Sequence, residues 1–155
     1  MLTTDRPSDH LSTDQCAVQI MNVIPWVTRF LRSEIRYHGQ PLSLSQLRVL
    51  NYLERWPQSS LSEVAEYLDV TRPTMSTMID RLVQRGVVHR MEDPQERRRI
   101  LLSLTPEGNE QLQQVTAATR AKVAVRLAQF TEPQLEQLMQ GLALLGDAFQ
   151  DAQKL

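Results

Sequence analysis

Residues 61–108 read LSEVAEYLDVTRPTMSTMIDRLVQRGVVHRMEDPQERRRILLSLTPEG, and the order of signals in this stretch sets the fold. Ser60, just ahead of it, and Glu63 form a capping box, a serine N-cap with an acid three residues on. A short helix therefore starts here, with Leu61, Val64, Ala65 and Leu68 inward. Asp69-Val70 makes a tight corner, since aspartate tolerates left-handed backbone better than most residues. Thr71 caps the next helix and Pro73 sits in its first turn, where its missing N–H has no helical partner to lose. Met75, Met78, Ile79, Leu82 and Val83 then fall at i, i+3, i+4, i+7 and i+8, the stripe of an amphipathic helix. The two methionines read as core, not as a ligand box. The opposite face shows Arg72, Thr74, Ser76, Thr77, Asp80, Arg81 and Gln84, and Gly86 ends the helix.

Beyond Gly86, Val87–Glu92 and Arg99–Leu104 read as two short strands, with Asp93-Pro94-Gln95-Glu96 as the turn between them. Thr105-Pro106-Glu107 opens a long helix that runs to about Gln129: an N-cap, a proline at the first position, an acid in the first turn. Thr131-Glu132-Pro133-Gln134 repeats that start. The last helix carries Leu135, Leu138, Met139, Leu142, Leu145 and Phe149 on one face. On the N-terminal side, residues 1–13 read as a disordered tail. Val18, Met21, Val27, Phe30, Leu31 and Ile35 give a helical stripe from Asp14 to about Tyr37. Pro25 inside it should kink the helix or split it in two, and Gly39-Gln40-Pro41 ends it. A second helix fits Ser45 to about Glu54, stopped by Trp56-Pro57.

The fold class is mainly α with a small β-hairpin wing. A short helix, a tight turn and an amphipathic helix make a helix-turn-helix unit, and the hairpin after it makes that unit a winged helix. An α-helix fits the DNA major groove with its N-terminal residues on base edges. The candidate DNA-binding residues are Arg72, Pro73, Thr74, Ser76, Thr77 and Arg81 on the recognition helix, with Arg97, Arg98 and Arg99 at the hairpin. A hairpin tip along the neighbouring minor groove favours arginine, because the narrow groove focuses negative potential. Adjacent side chains of a strand point to opposite faces, so the three arginines cannot share one job.

Bulk properties agree. The 155 residues suit one domain, 41% hydrophobic and 23% charged. The formal net charge is −1. Between Arg72 and Arg99, seven arginines stand against four acids, leaving +3, so the middle is a basic module between acidic ends. No apolar run approaches the roughly 20 residues of a membrane span. The polar N-terminus lacks the basic start and apolar middle of a secretion signal. The expected setting is the cytoplasm, with no membrane partner. One cysteine, Cys16, excludes an internal disulfide, and His10, His38 and His89 lack metal-ligand spacing. No Gly-rich phosphate loop or nucleophile motif suggests an enzyme, and no cofactor is expected. The rival reading, a winged helix used for protein contacts, would expose apolar or aromatic groups at 72–81, and this face does not.

The quoted stretch resembles the core of MarR-family transcription regulators. The family pattern of an acid, any residue, an arginine and then Leu-Thr-x-x-Gly is met by Glu96, Arg97, Arg98 and Leu104-Thr105-Pro106-Glu107-Gly108. The resemblance implies a homodimer on double-stranded, pseudo-palindromic operator DNA, most often acting as a repressor. It implies a dimerisation helix over 14–40, a DNA-binding lobe over 41–104 and C-terminal dimerisation helices over 105–155. Arg98 would be the minor-groove arginine, with Arg97 and Arg99 on phosphates or bracing the wing. Trp26, Phe30 and Tyr37 are the candidate lining of a pocket for a small effector, phenolic or otherwise aromatic, although core or dimer packing also explains them. The chain departs from the pattern at Glu96 (usually aspartate), at Asp69 (usually the turn glycine) and at Thr77 (arginine in many members). Members that sense organic hydroperoxides carry a cysteine early in the first helix, as Cys16 is here. Tyrosines that hydrogen-bond it in that branch are replaced by Phe30 and Leu44, so redox release through Cys16 is the alternative and a small buried side chain is the plain expectation.

Overall fold

The computed structural model describes residues 12–37, 42–96 and 99–150. Six helices and three strands follow in the order α1 (Thr13–Tyr37), α2 (Leu44–Arg55), β1 (Ser59–Ser60), α3 (Leu61–Leu68), α4 (Arg72–Gln84), β2 (Val88–Glu92), β3 (Ile100–Leu104), α5 (Pro106–Leu127) and α6 (Glu132–Gln150). The helix starts are fixed by side chains. Ser43 with Gln46 and Ser60 with Glu63 form complete capping boxes at α2 and α3. Thr71 and Thr105 accept from the backbone of Thr74 and Gly108 at α4 and α5. Each such cap satisfies an amide that the helix itself leaves unpaired.

The corner between α3 and α4 turns on Asp69, which takes the left-handed conformation at φ 55° and ψ 52°. Its N–H donates to the Glu66 carbonyl and that of Val70 to the Ala65 carbonyl, so aspartate closes a Schellman turn where glycine is usual. Gly86, at φ 72°, closes the same turn after α4, with Gly86 N–H on Val83 and Val87 N–H on Leu82.

Two expectations are refined. First, of the kink or split expected at Pro25 the split does not occur, and α1 is one unbroken helix. Proline removes one hydrogen bond and crowds the preceding turn, but about three turns of helix on either side carry the element through. Second, the sheet has three strands in the order β1-β3-β2, all antiparallel. Ser59 and Ser60 pair with Leu102 and Leu101 on the far side of β3 from the wing partner β2. Ser12 bonds Gln15 in both directions and so caps α1; the rest of the expected tail, residues 1–11, and the Gly39-Gln40-Pro41 stop lie outside the described residues.

The core sits between α2, α3, α4 and the sheet. Val49, Leu50, Val64, Met75, Ile79, Leu82, Val87 and Leu102 have no exposed surface, and Ile35, Leu112 and Val115 close it from α1 and α5. Met75 is core, as read, and Met78 packs half-buried against it. Among the described residues no helix is long and apolar enough to cross a membrane.

The Leu-Thr-Pro-Glu-Gly segment joins this core to the long helix α5. Thr105 Oγ1 accepts from Gly108 N–H at 2.9 Å and donates to the Gly86 carbonyl at 2.6 Å, while its N–H donates to Val87 O at 3.1 Å. Gly108 lies so close to this strand start that a Cβ would fall 2.0 Å from Val87 O. One hydroxyl thus caps α5 and ties it to the end of α4, and the glycine lets the two backbones meet.

Candidate nucleic-acid interface

α4 buries Met75, Ile79 and Leu82 and turns Arg72, Pro73, Thr74, Thr77 and Arg81 to solvent, with Ser76 half-buried. The hydroxyls are ordered before any ligand arrives. Thr71 and Thr74 share a hydrogen bond at 2.9 Å, and Thr77 Oγ1 donates to the Pro73 carbonyl at 3.1 Å. Arg81 joins Ser43, Gln46, Thr74, Thr77 and Met78 around a shallow concavity of about 320 Å³ between α2 and α4. This face is polar and cationic, the chemistry that meets base edges and phosphates.

The wing is tied to the helices by two ion pairs. Arg90 on β2 holds Asp80 on α4, Nη2 to Oδ1 at 2.5 Å. Arg99, just before β3, places Nη2 3.3 and 3.4 Å from the two Glu63 carboxylate oxygens. Hydrogen bonding from Ser60, by its side chain first and its backbone N–H second, holds the Glu63 carboxyl below the usual carboxylate range. Partial burial opposes this, and the Arg99 charge adds to it. The turn is closed by Asp93 N–H on the Arg99 carbonyl (2.9 Å), Arg99 N–H on the Glu96 carbonyl (2.7 Å) and Gln95 N–H on Asp93 Oδ1 (2.9 Å). Between α3, α4 and the wing lies a cleft of about 610 Å³ lined by Ser60, Ser62, Ser76, Arg90, Glu96 and Arg99, among others. Arg97 and Arg98 lie outside the described residues.

The structure thus leaves the predicted residues of α4 exposed or half-buried and pairs Arg99 with an acid while its side chain stays 42% exposed. Sequence reasoning missed Glu63 and Arg90 as partners. Glu63 is 36 positions from Arg99, and its capping role already explained it.

Elsewhere, Trp26 is 70% exposed and Phe30 is half-buried, with the Arg126 guanidinium 5.1 Å over its ring. The Tyr37 side chain lies outside the description. A concavity of about 690 Å³ opens on α1, lined by Ile24, Pro25, Thr28, Arg29, Arg32, Ser33 and Arg36. Cys16 is exposed, so the expectation that it packs as a small buried side chain is not met. It borders an apolar groove of about 690 Å³ with Ile20, Leu144, Leu145 and Phe149.

A model of the MarR family matches residues 42–100. The HTH-type transcriptional repressor MdtR of Bacillus subtilis (strain 168) is 33% identical over 115 residues, 74% of each chain. This chain belongs to the MarR family. Like its relatives it is a winged helix-turn-helix, DNA-binding regulator of transcription and not an enzyme. The crystal structure of YusO from Bacillus subtilis matches at a TM-score of 0.68 and 30% identity, over 89% of this chain and 99% of that one. The repressor CouR, bound to a 23-mer DNA duplex, has the same fold at a TM-score of 0.68 and 22% identity, over 89% and 99%. On this MarR-family frame the Leu104–Gly108 motif acquires a physical reason: it welds the wing to α5 through Thr105 and Gly108.

Proposed function

We propose that this MarR-family protein is a homodimeric cytoplasmic repressor that leaves its operator when a small aromatic or phenolic effector binds. The ordered hydroxyl-and-arginine face of α4 carries the operator reading. Two such helices, one per subunit, occupy successive major grooves of a pseudo-palindrome about 34 Å apart. Arg98 enters the flanking minor groove, and Arg72, Thr74, Ser76, Thr77 and Arg81 meet bases and phosphates. MdtR, a named repressor, supports the sign of regulation.

The uncovered apolar surface supports the dimer. Met21, Trp26, Met139 and Leu144 are each about 70% exposed on α1 and α6, apolar surface of the kind that association covers. A second copy covers it, so α1, α5 and α6 dimerise while residues 41–104 read DNA. An effector seated near Trp26, Phe30 and Tyr37, where the dimer helices meet the lobe, favours a lobe spacing that no longer fits DNA. It acts only through unequal affinity for the two arrangements.

Selection of duplexes from a random pool by the full-length protein tests this reading. The expected product is an inverted repeat with half-sites one helical turn apart, and binding that falls steeply with salt as several phosphates are neutralised. Arg98→Ala then weakens binding to that duplex with dimer and melting behaviour unchanged. No enrichment, a single unrepeated site, or a flat salt response overturns it.

A further inference from the structure

We infer that Glu63 is a wing-positioning residue: it grips Arg99 and through it fixes the base of the wing against α3, so that Arg99 braces the wing and does not contact DNA. The inference rests on the wing being a DNA-contacting element. Arg99 is held three ways. Its N–H donates to Glu96 O, its carbonyl accepts from Asp93 N–H, and its guanidinium meets both Glu63 oxygens.

Glu63 is itself immobilised. Its Oε2 accepts the Ser60 N–H at 2.6 Å, its own N–H donates to Ser60 Oγ, and Ser60 pairs with Leu101 in the sheet. The acid at the third position of α3 therefore has two tasks: one oxygen closes the cap, and both present to Arg99. The opposite strand has a matching tie, since Arg90 on β2 holds Asp80 on the recognition helix. Each strand of the wing is thus pinned to one helix of the helix-turn-helix, β2 to α4 and the start of β3 to α3. Both pairs are partly exposed. Such pairs contribute little to stability, but they preset the angle between wing and recognition helix before DNA arrives, and ordering done in advance is not lost on binding.

Glu63→Gln isolates the tie, because glutamine at this position still closes a capping box while the charge that holds Arg99 is gone. Fluorescence anisotropy of the full-length protein on a duplex enriched by the wild type is the measurement, repeated across salt for Glu63→Gln, Arg99→Gln and the double variant. Each single change is expected to weaken binding about two- to fivefold. The double variant should be no weaker than either single, and the salt slope should be unchanged. Tighter binding by Glu63→Gln with a steeper salt slope, by about 0.9 for one added phosphate contact, would show that Glu63 masks a DNA-binding arginine, and overturns the inference. Additive losses, or a slope reduced by Arg99→Gln alone, also overturn it.

Amide hydrogen exchange supplies a readout without DNA. The Asp93 and Arg99 N–H groups are expected to exchange about two- to fivefold faster in Glu63→Gln, and unchanged rates reject the brace. If the wild type enriches no duplex, the DNA reading fails by itself and the exchange rates still decide the tie.

Discussion

The DNA-binding lobe and the helices outside it treat apolar side chains in opposite ways. In the lobe, Val49, Leu50, Val64, Met75, Ile79, Leu82 and Leu102 are sealed within one chain. On α6 no residue from Glu132 to Phe149 is buried, although Leu135, Leu138, Met139, Leu142, Leu144 and Phe149 are all there. The long helix α5 passes from one regime to the other: Gly108, Leu112, Val115 and Thr119 are buried along its first two-thirds, and Val125 is 73% exposed near its end. The lobe is a finished core, whereas the outer helices leave their apolar side chains uncovered in one chain, as the proposed dimer requires.

The largest expected effects test that contrast directly. Ile79→Ala empties a fully enclosed site and should cost about 2–5 kcal/mol, seen as a lower melting temperature at every protein concentration. Leu142→Glu, at a side chain 53% exposed in one chain, should leave the lobe intact and make melting depend on concentration, with monomer appearing in sedimentation. If Leu142→Glu lowers stability independently of concentration with the dimer intact, α6 belongs to the single-chain core and the contrast fails.

The lobe was legible in the sequence because its signals are local. Ser60-x-x-Glu63, Thr71 with Pro73, the Met75–Val83 stripe, Gly86 and Thr105-Pro106 each act within a few residues, and each stands where the spacing put it. Asp69 is the sharpest case, since its left-handed backbone was read from residue type alone. What escaped depends on distant partners. Ser59–Ser60 has no alternation to betray a strand and becomes one only because β3 lies beside it. The Asp80–Arg90 and Glu63–Arg99 pairs join segments that charge patterning does not connect. Pro25 left a kink and a split both open, and the helix around it rules out the split. For the proposed interface the helix face was legible from periodicity, but which arginine is free and which is held was not.

A second test concerns the weld between the two regions. In Gly108→Ala the new Cβ meets the Val87 carbonyl, which is backbone and cannot rotate aside. The first turn of α5 must back away, straining the Thr105 bonds to Gly86 and Val87. Overpacking of this kind costs about 1–3 kcal/mol, measurable by urea denaturation. A comparable loss in Thr105→Val, which keeps the shape and removes the hydroxyl bonds, would locate the effect in the weld. Wild-type stability in Gly108→Ala would mean that lobe and helix are not rigidly joined here.

The smallest effect is in acid, and it separates the cap from the rest of the lobe. Because Ser60 and Arg99 hold the Glu63 carboxyl below its ordinary range, the unfolded chain takes up that proton at a higher pH than the folded one. The stabilisation is therefore complete above the ordinary glutamate value of about 4.3. It is lost as pH falls through the lower folded value. In Glu63→Gln this titration disappears, and the acid limb of a melting-temperature profile should be shallower than in the wild type below about pH 4.3. Ser60→Ala should flatten the same limb while lowering stability by about 1 kcal/mol at neutral pH, the usual cost of a lost N-cap. Acid limbs that superimpose across all three proteins would mean that the cap is already open in acid. The wing would then take its orientation from Arg90 and Asp80 alone.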